Sequence, residues 1–588
     1  RAGAITEHAT RVQASLDIEH GPLLRATHFD LGRGAAGRVL LVIHHLVVDG
    51  VSWRILREDL EAAYFAIVEG RRAQLAPKTT SMRTWAERVD AYAKSHDVEA
   101  ASTHWLAASA VSPAVLPADA LAGEVPRAAR VAVALSEAET RAILTDVPKS
   151  FRTRINDVLL AGLVRALQHC ADGQQFRIDL EGHGREHIAD DIDVSRTVGW
   201  FTTLFPVVLD VPSGGDAIDG LLAVRDRLRE IPHRGMSCGL LRYAANDESV
   251  RSALASARPA SILFNYLGQF DAVVADSRVF AFADESTGPW RSPRARRTHA
   301  LEIVSLVRDG RLEIEWNYDA AVHREATIAR AADDMLAALR AVLFAAASGT
   351  ARFTPADFPL ARLDRSALDR IAARYPDAED ILPLTPMQRL FFAMETSAAG
   401  LGFEQWQFRI DGTIDARVLR RAIEWTVARH TMLRTAFVDD GGDQPLQIVL
   451  RNAPLPWRDE DWSGIDSAEQ SARIENLLRA DAAAGFDLGK PPLMRISVLR
   501  TGARTWHLVW STHHLCIDGW SWPVVFRDIS RAYAAYAAGG EPAIEAAIPY
   551  HDYVEWLATA APASEHFWRE RLHGVTAPTP LRLGATAP

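Results

Sequence analysis

The 588-residue sequence predicts an α/β protein whose lobes are sandwiches of a mixed sheet and helices. Three observations carry that expectation. A ten-residue segment occurs twice: His44-His-Leu-Val-Val-Asp-Gly-Val-Ser-Trp53 returns as His513-His-Leu-Cys-Ile-Asp-Gly-Trp-Ser-Trp522, identical at seven positions. Each copy follows a short apolar run of strand type and precedes an amphipathic helical period. Between the copies, strand-like and helix-like stretches alternate over residues 131–345. Histidine supplies only 20 residues, so matched doublets inside matched decamers mark a duplicated unit.

Composition narrows the class. Hydrophobic residues are 48% and charged residues 24%, the profile of a soluble globular protein with room for about three or four domains. A net charge of −10 argues against a nucleic-acid surface, and the basic run at 291–297 (RSPRARR) reads as a solvated loop. Three scattered cysteines, Cys170, Cys238 and Cys516, make neither a disulfide framework nor a metal site, and suit a reducing cytoplasm. No apolar run approaches the roughly 18–20 residues of a membrane span, so no membrane partner is expected. The opening at Arg1 falls inside a pattern and predicts an internal piece of a longer chain.

The repeat extends beyond the histidines. Gly21-Pro-Leu-Leu-Arg-Ala26 matches Pro491-Pro-Leu-Met-Arg-Ile496, and each leads into a predicted strand, 38–43 and 505–511. After the doublet, Ile55, Leu56, Leu60, Tyr64 and Ile67 share one helical face; Val525, Phe526, Ile529, Tyr533 and Tyr536 are its counterpart. An Asp-Gly turn joins strand to helix at Asp49-Gly50 and Asp518-Gly519. One imidazole of each pair then faces a cleft and its neighbour faces the interior. A neutral imidazole is the best general base near neutral pH, and the aspartate is better placed to brace the turn through an arginine. A packed structural pair is the plainer alternative.

The pattern HHxxxDG resembles the signature of the condensation superfamily of nonribosomal peptide synthetases, whose fold is similar to chloramphenicol acetyltransferase. The resemblance implies that the second histidine is active, here His45 and His514, with His44 and His513 supporting. It makes Asp49 and Asp518 structural, beside Gly50 and Gly519. The first copy further resembles the epimerization branch. It carries Asn156-Asp-Val-Leu-Leu-Ala161, Glu181-Gly-His-Gly-Arg-Glu186, Arg196-Thr-Val-Gly-Trp-Phe-Thr202 and Phe264-Asn-Tyr-Leu-Gly-Gln269, in family order. Peptide-bond-forming relatives lack the EGHGRE segment.

The chemistry such a set serves is proton transfer at Cα. Inverting a thioester-bound residue removes its α-proton and returns one to the opposite face of a planar enolate. His45 and Glu181 are the natural pair, with Glu181 expected in a partly apolar cleft that raises its pKa. Asn265, Tyr266 or a backbone N–H would face the enolate oxygen. The plainer reading of Glu181 is a surface carboxylate paired with Arg185. Gly235-Met-Ser-Cys-Gly239 fits a nucleophile elbow, but the charged helical pattern over 221–231 stands where that elbow needs a strand, so Ser237 is not expected to react. Met236-Ser237-Cys238 also departs from the family's Gly-Tyr at this loop.

The second copy resembles a condensation domain: Leu382-Pro-Leu-Thr-Pro-Met-Gln388, Arg429-His-Thr-Met-Leu-Arg-Thr-Ala-Phe437 and Tyr550-His-Asp-Tyr-Val-Glu-Trp556 match its motifs. By analogy Arg434 braces Asp518, and His514 orients or deprotonates an attacking amine. The expected organisation is residues 1–120 as the remainder of a first lobe, 121–345 as the second lobe, 346–380 as a linker, and 381–588 as a further first lobe. No phosphate loop, HExxH or metal-spaced Cys/His cluster occurs, so no metal or bound cofactor is expected. No carrier stretch occurs either, so 4′-phosphopantetheine would arrive on a separate carrier domain, with adenylation domains elsewhere in the parent chain. Two other readings are a free-standing acyltransferase using coenzyme A, which predicts one site and no EGHGRE, and a docking platform that has lost its active His or acid.

Overall fold

The computed structural model describes residues 2–577 except 113, 115, 117, 120–127, 172, 213, 270–273, 275, 290–296, 349–351, 398–399 and 544; side chains at 561–563 are also left aside. The basic run at 291–297 thus lies outside the described residues except Arg297, which donates to the Asn317 carbonyl at 2.8 Å. The chain forms two compact units, Arg1–Arg352 and Phe353–Pro588.

In the first unit, β1 (Leu24–Phe29) and β2 (Arg38–Ile43) pair antiparallel and lead into the first decamer. A six-stranded mixed sheet follows, in the order β3-β8-β7-β6-β4-β5. Its strands are β3 (Ala128–Ala134), β4 (Gln175–Gly182), β5 (Thr203–Asp210), β6 (Ile262–Gln269), β7 (Leu301–Arg308) and β8 (Arg311–Asp319). The central β7 is buried on both faces, whereas β8 buries Leu312, Ile314, Trp316 and Tyr318 and leaves the alternate positions half-exposed. That period of two is what a strand covered on one side requires. Helices Ile155–Cys170 and Glu325–Ala347 bury their apolar stripes in the same core. β4, β6 and β7 run parallel, so the carboxyl ends of β4 and β6 lie side by side. In open α/β sheets that edge is where ligands bind.

Two expected boundaries move. Helices Met82–Ala93 and Ser102–Ala110, assigned by sequence to the first lobe, insert Trp85 and Trp105 into the core of the six-stranded sheet. The segment read as a linker, 346–380, is also largely built in. Phe358, Ala361, Leu368, Ile371 and Tyr375 share a core with Ile381, Ala436 and Ile448 of the second unit. The short amphipathic stretch at 368–373 lies in a ten-residue helix, Arg365–Arg374, that buries Leu368 and Ile371.

Among the described residues the second unit holds two sheets. One is β10-β15-β14-β13: Phe403–Asp411, Thr505–His513, Met494–Arg500 and Trp457–Asp461. The other is β11-β12-β9: Thr435–Val438, Leu446–Leu450 and Ala378–Pro383. Helices Ala416–Arg429 and Ser521–Ala537 pack on the larger sheet through Ala422, Ile423, Val525 and Ile529. The fold class is the expected one, α/β lobes of mixed sheets covered by helices. Because Ile371 is buried against the second unit's smaller sheet, Ile371→Ala should lower that unit's unfolding free energy by about 2–4 kcal/mol. Denaturant unfolding checks this, and an unaltered transition would return the segment to linker status.

Candidate functional site

The two decamers repeat their bonding as well as their letters. The first histidine's backbone N–H donates to a leucine carbonyl on the neighbouring segment: His44 to Leu23 at 2.8 Å, His513 to Leu493 at 3.0 Å. Its Nδ1 accepts the N–H two residues on, Leu46 or Leu515, at 3.2 Å in both. A backbone N–H can only donate, so the neutral ring carries its proton on Nε2. The first histidine of each pair is therefore locked by its own turn. The second is turned away from that lock: His45 is exposed, and His514 is half-buried beside an almost fully buried His513. Burial lowers the pKa of His513, although Glu395 at 3.5 Å opposes the shift. An added Cβ on Gly402 would lie 2.3 Å from the His513 ring, so that close approach needs glycine.

Asp49 is the N-cap of the helix Gly50–Val68, whereas Asp518 stands two residues before the N-cap of the helix Ser521–Ala537; each accepts from the serine N–H three residues on. Asp49 accepts from the N–H of Ser52 at 2.7 Å, and Asp518 from that of Ser521 at 2.8 Å. Gly50 opens the first of these helices, and Gly519 precedes the second; neither has positive φ or a crowded Cβ position.

Beyond the cap the copies diverge. Asp49 is buried and takes a bidentate contact from Arg185 Nη2 at 3.0 Å to each oxygen, plus the Phe201 N–H at 3.4 Å. Arg185 Nη1 donates to the carbonyls of Val194 and Thr197, and its guanidinium lies 4.0 Å from the Phe201 ring centroid. Gly184, at φ +66, lets this turn form; a Cβ there would meet the Phe201 carbonyl oxygen at 1.6 Å. The arginine brace expected of the turn is thus real in the first unit, and it comes from within EGHGRE. Arg185 does not pair with Glu181. In the second unit Arg434 does not brace the turn: it binds Glu379 and the carbonyls of Leu450 and Ala428, holding the smaller sheet's edge, while Asp518 is exposed.

Glu181 ends β4, exposed rather than enclosed in an apolar cleft. The neighbouring parallel strand β6 brings Asn265 alongside, and its Nδ2 donates to Glu181 Oε2. Tyr266 follows half-buried, its pKa raised by desolvation. His45 packs against Trp200, ring centroids 5.1 Å apart. Trp200 precedes β5, whose Thr203 and Leu204 pair with Gly182 and Glu181. His45 and Glu181 each stand four residues before a partner in the Asp49–Arg185 pair, so one ion pair holds both segments together. The sequence places Trp200 within a motif without this contact, and it offers Arg185 only as a partner in the plainer reading of Glu181, not as the brace of Asp49.

Ser237 is core: it lies in the helix Met236–Ala244, fully buried, and accepts the Trp105 indole N–H at 2.9 Å. Cys516 is buried, its thiol pushed up to about 12 by desolvation. In the second unit His514 lines a cavity of about 710 Å³ with Met387, Phe391, Met432, Trp520, Val524 and Tyr550 among its walls. Its ring meets the edge of Phe391 at 4.8 Å. Among the described residues no group of three or more His, Cys, Asp or Glu side chains is placed to hold a metal, and no helix is long and apolar enough to cross a membrane.

Comparison with known proteins agrees with this architecture. The condensation-domain family matches residues 1–354 and 378–584, and the chain belongs to that family. The chain is 40% identical to one component of the linear gramicidin synthase of Brevibacillus parabrevis, over 99% of its own length and 8% of that protein's. It is 37% identical to the chondramide synthase cmdD of Chondromyces crocatus, over 98% of this chain and 16% of that protein. The chain thus spans less than a fifth of the length of these relatives. Among solved structures, the epimerization domain from the third module of tyrocidine synthetase B superposes with a TM-score of 0.55 at 34% identity, covering 59% of this chain and 78% of that domain.

Arg185→Ala strands a buried aspartate and opens the seam between the two segments, so it should cost the first unit about 3–5 kcal/mol. Denaturant titration of the variant measures the loss, and a change below about 1 kcal/mol would show the pair to be dispensable.

Proposed function

We propose that the first unit epimerizes the Cα of an aminoacyl or peptidyl residue held as a phosphopantetheine thioester on a carrier domain. The second unit belongs to a condensation domain that accepts the resulting D-configured donor and joins it to an acceptor amine. The whole would act within a nonribosomal peptide synthetase in the cytoplasm, with carrier and adenylation domains as partners. The observation that carries this reading is that one buried ion pair, Arg185–Asp49, joins the segment bearing His45 to the one bearing Glu181, with Asn265 bonded to that carboxylate. The second unit repeats the decamer with no such arginine-held acid joined to it among the described residues.

The chemistry balances without any added redox partner. One of His45 and Glu181, in its basic form, takes the α-proton, and the electron pair of the C–H bond delocalises into the thioester carbonyl as an enolate. The other, in its acidic form, returns a proton to the opposite face, restoring the C–H bond with inverted configuration. Asn265 can hold Glu181 or donate to the enolate oxygen, and a donor aimed at developing charge is worth a few kcal/mol of barrier. In the second unit His514 orients or deprotonates the amine as its nitrogen attacks the thioester carbon and the carrier thiol leaves.

Loss of either acid–base group removes about 10²–10⁴-fold of rate. In the full-length synthetase, His45→Ala and Glu181→Ala should therefore each abolish deuterium exchange from solvent into Cα of the carrier-bound residue. Mass spectrometry of the released thioester reads this, and undiminished exchange in both variants would defeat the two-group assignment. His514→Ala should stop peptide transfer while exchange continues; loss of both activities would contradict the division of labour.

A further inference from the structure

The two active-histidine candidates differ in what faces them. His45 lies against an indole, whereas His514 lies against a carboxylate: Glu404 Oε1 is 3.2 Å from His514 Nδ1, with both side chains about 30% exposed. The contact follows from strand register. β10 pairs with β15 so that Glu404 stands opposite Thr512, and Gly402 accepts the His514 N–H at 2.8 Å. Thr512 and His514 point to the same face, which makes Glu404 the diagonal cross-strand neighbour of the imidazole. His514 Nδ1 is itself shielded from solvent and has no hydrogen-bond partner among the described residues. A buried ring nitrogen needs a partner, and Glu404 is the carboxylate within reach. On the other side of the carboxylate, the Trp406 indole N–H lies 3.5 Å from Oε2, and the Phe391 edge bounds the ring's swing.

We propose that Glu404 is a positioning residue for His514, taking the Nδ1 proton in a hydrogen bond so that Nε2 presents its lone pair to the cavity. Glu404 touches neither thioester nor amine; it acts through the imidazole. A ring whose Nδ1–H is fixed by a carboxylate is held in one tautomer and one orientation, the condition under which a histidine base works. This inference rests on the reading of His514 as the acting group in peptide transfer.

The test is single-turnover peptide transfer in the full-length synthetase, with donor and acceptor loaded on their carrier domains. Glu404→Gln keeps the shape and replaces the charged, acceptor-only carboxylate with a neutral amide that is part donor; the transfer rate at saturating acceptor should fall about 10- to 100-fold, with the acceptor concentration at half-saturation nearly unchanged. Glu404→Asp should recover part of the lost rate, and thermal unfolding of both variants should match the parent. A Glu404→Gln enzyme as fast as the parent, beside an inactive His514→Ala, overturns the positioning role and leaves His514 standing. Equal loss in Gln and Asp variants with a lowered unfolding temperature overturns it in favour of a merely structural contact. Transfer that survives His514→Ala removes the reading beneath it.

Discussion

The first unit depends on a buried ion pair that reaches across 136 residues, Arg185 to Asp49. Such pairs are costly to bury, and partners at both terminal nitrogens offset much of the cost here, while the buried Nε has none among the described residues. Nη2 takes both carboxylate oxygens, Nη1 takes two backbone carbonyls, and the guanidinium lies over the Phe201 ring. The aspartate is at the same time the cap of the helix Gly50–Val68. One side chain thus terminates the histidine-bearing turn, starts a helix and docks the EGHGRE strand end. A buried pair of this kind is weak evidence of added stability, although removing one partner is strongly destabilising. What this pair ties together is the segment that bears His45 and the segment that bears Glu181.

The second unit shows what the decamer does without that docking. His513 is locked by the same N–H to Nδ1 bond, and Asp518 accepts the corresponding serine N–H, so the local turn is self-sufficient. Asp518 is nevertheless exposed, and Arg434 is committed elsewhere. The surroundings of His514 come instead from β10 and the helix Pro386–Ser397, which supply Glu404 and Phe391. Identical local chemistry is therefore placed in two different electrostatic settings by the sheet that carries it.

Much of this was legible in the sequence for a definite reason. Strand-to-helix transitions at both doublets are local, written in the switch from period two to the helical period around residues 38–67 and 505–536. The rejection of Ser237 was equally local, since a charged helical pattern precedes it. Partners distant in sequence were not legible. Nothing near Arg185 distinguishes Glu181 four residues back from Asp49, and nothing near Arg434 announces Glu379. The short amphipathic stretch around Leu368 and Ile371 is visible in the sequence, but its partners in the core, Ile381, Ala436 and Ile448, are not, so the segment reads as a linker.

By itself, then, the sequence determined the duplicated turn, the family and the fold class, because each rests on short-range pattern and on residue types at set spacing. Tertiary structure decided which residues answer those turns. Only the pairing of β4 with β6 sets Asn265 against Glu181, and only the register of β10 on β15 sets Glu404 against His514. Register is fixed by burial of whole sheet faces, a collective property that no single motif encodes.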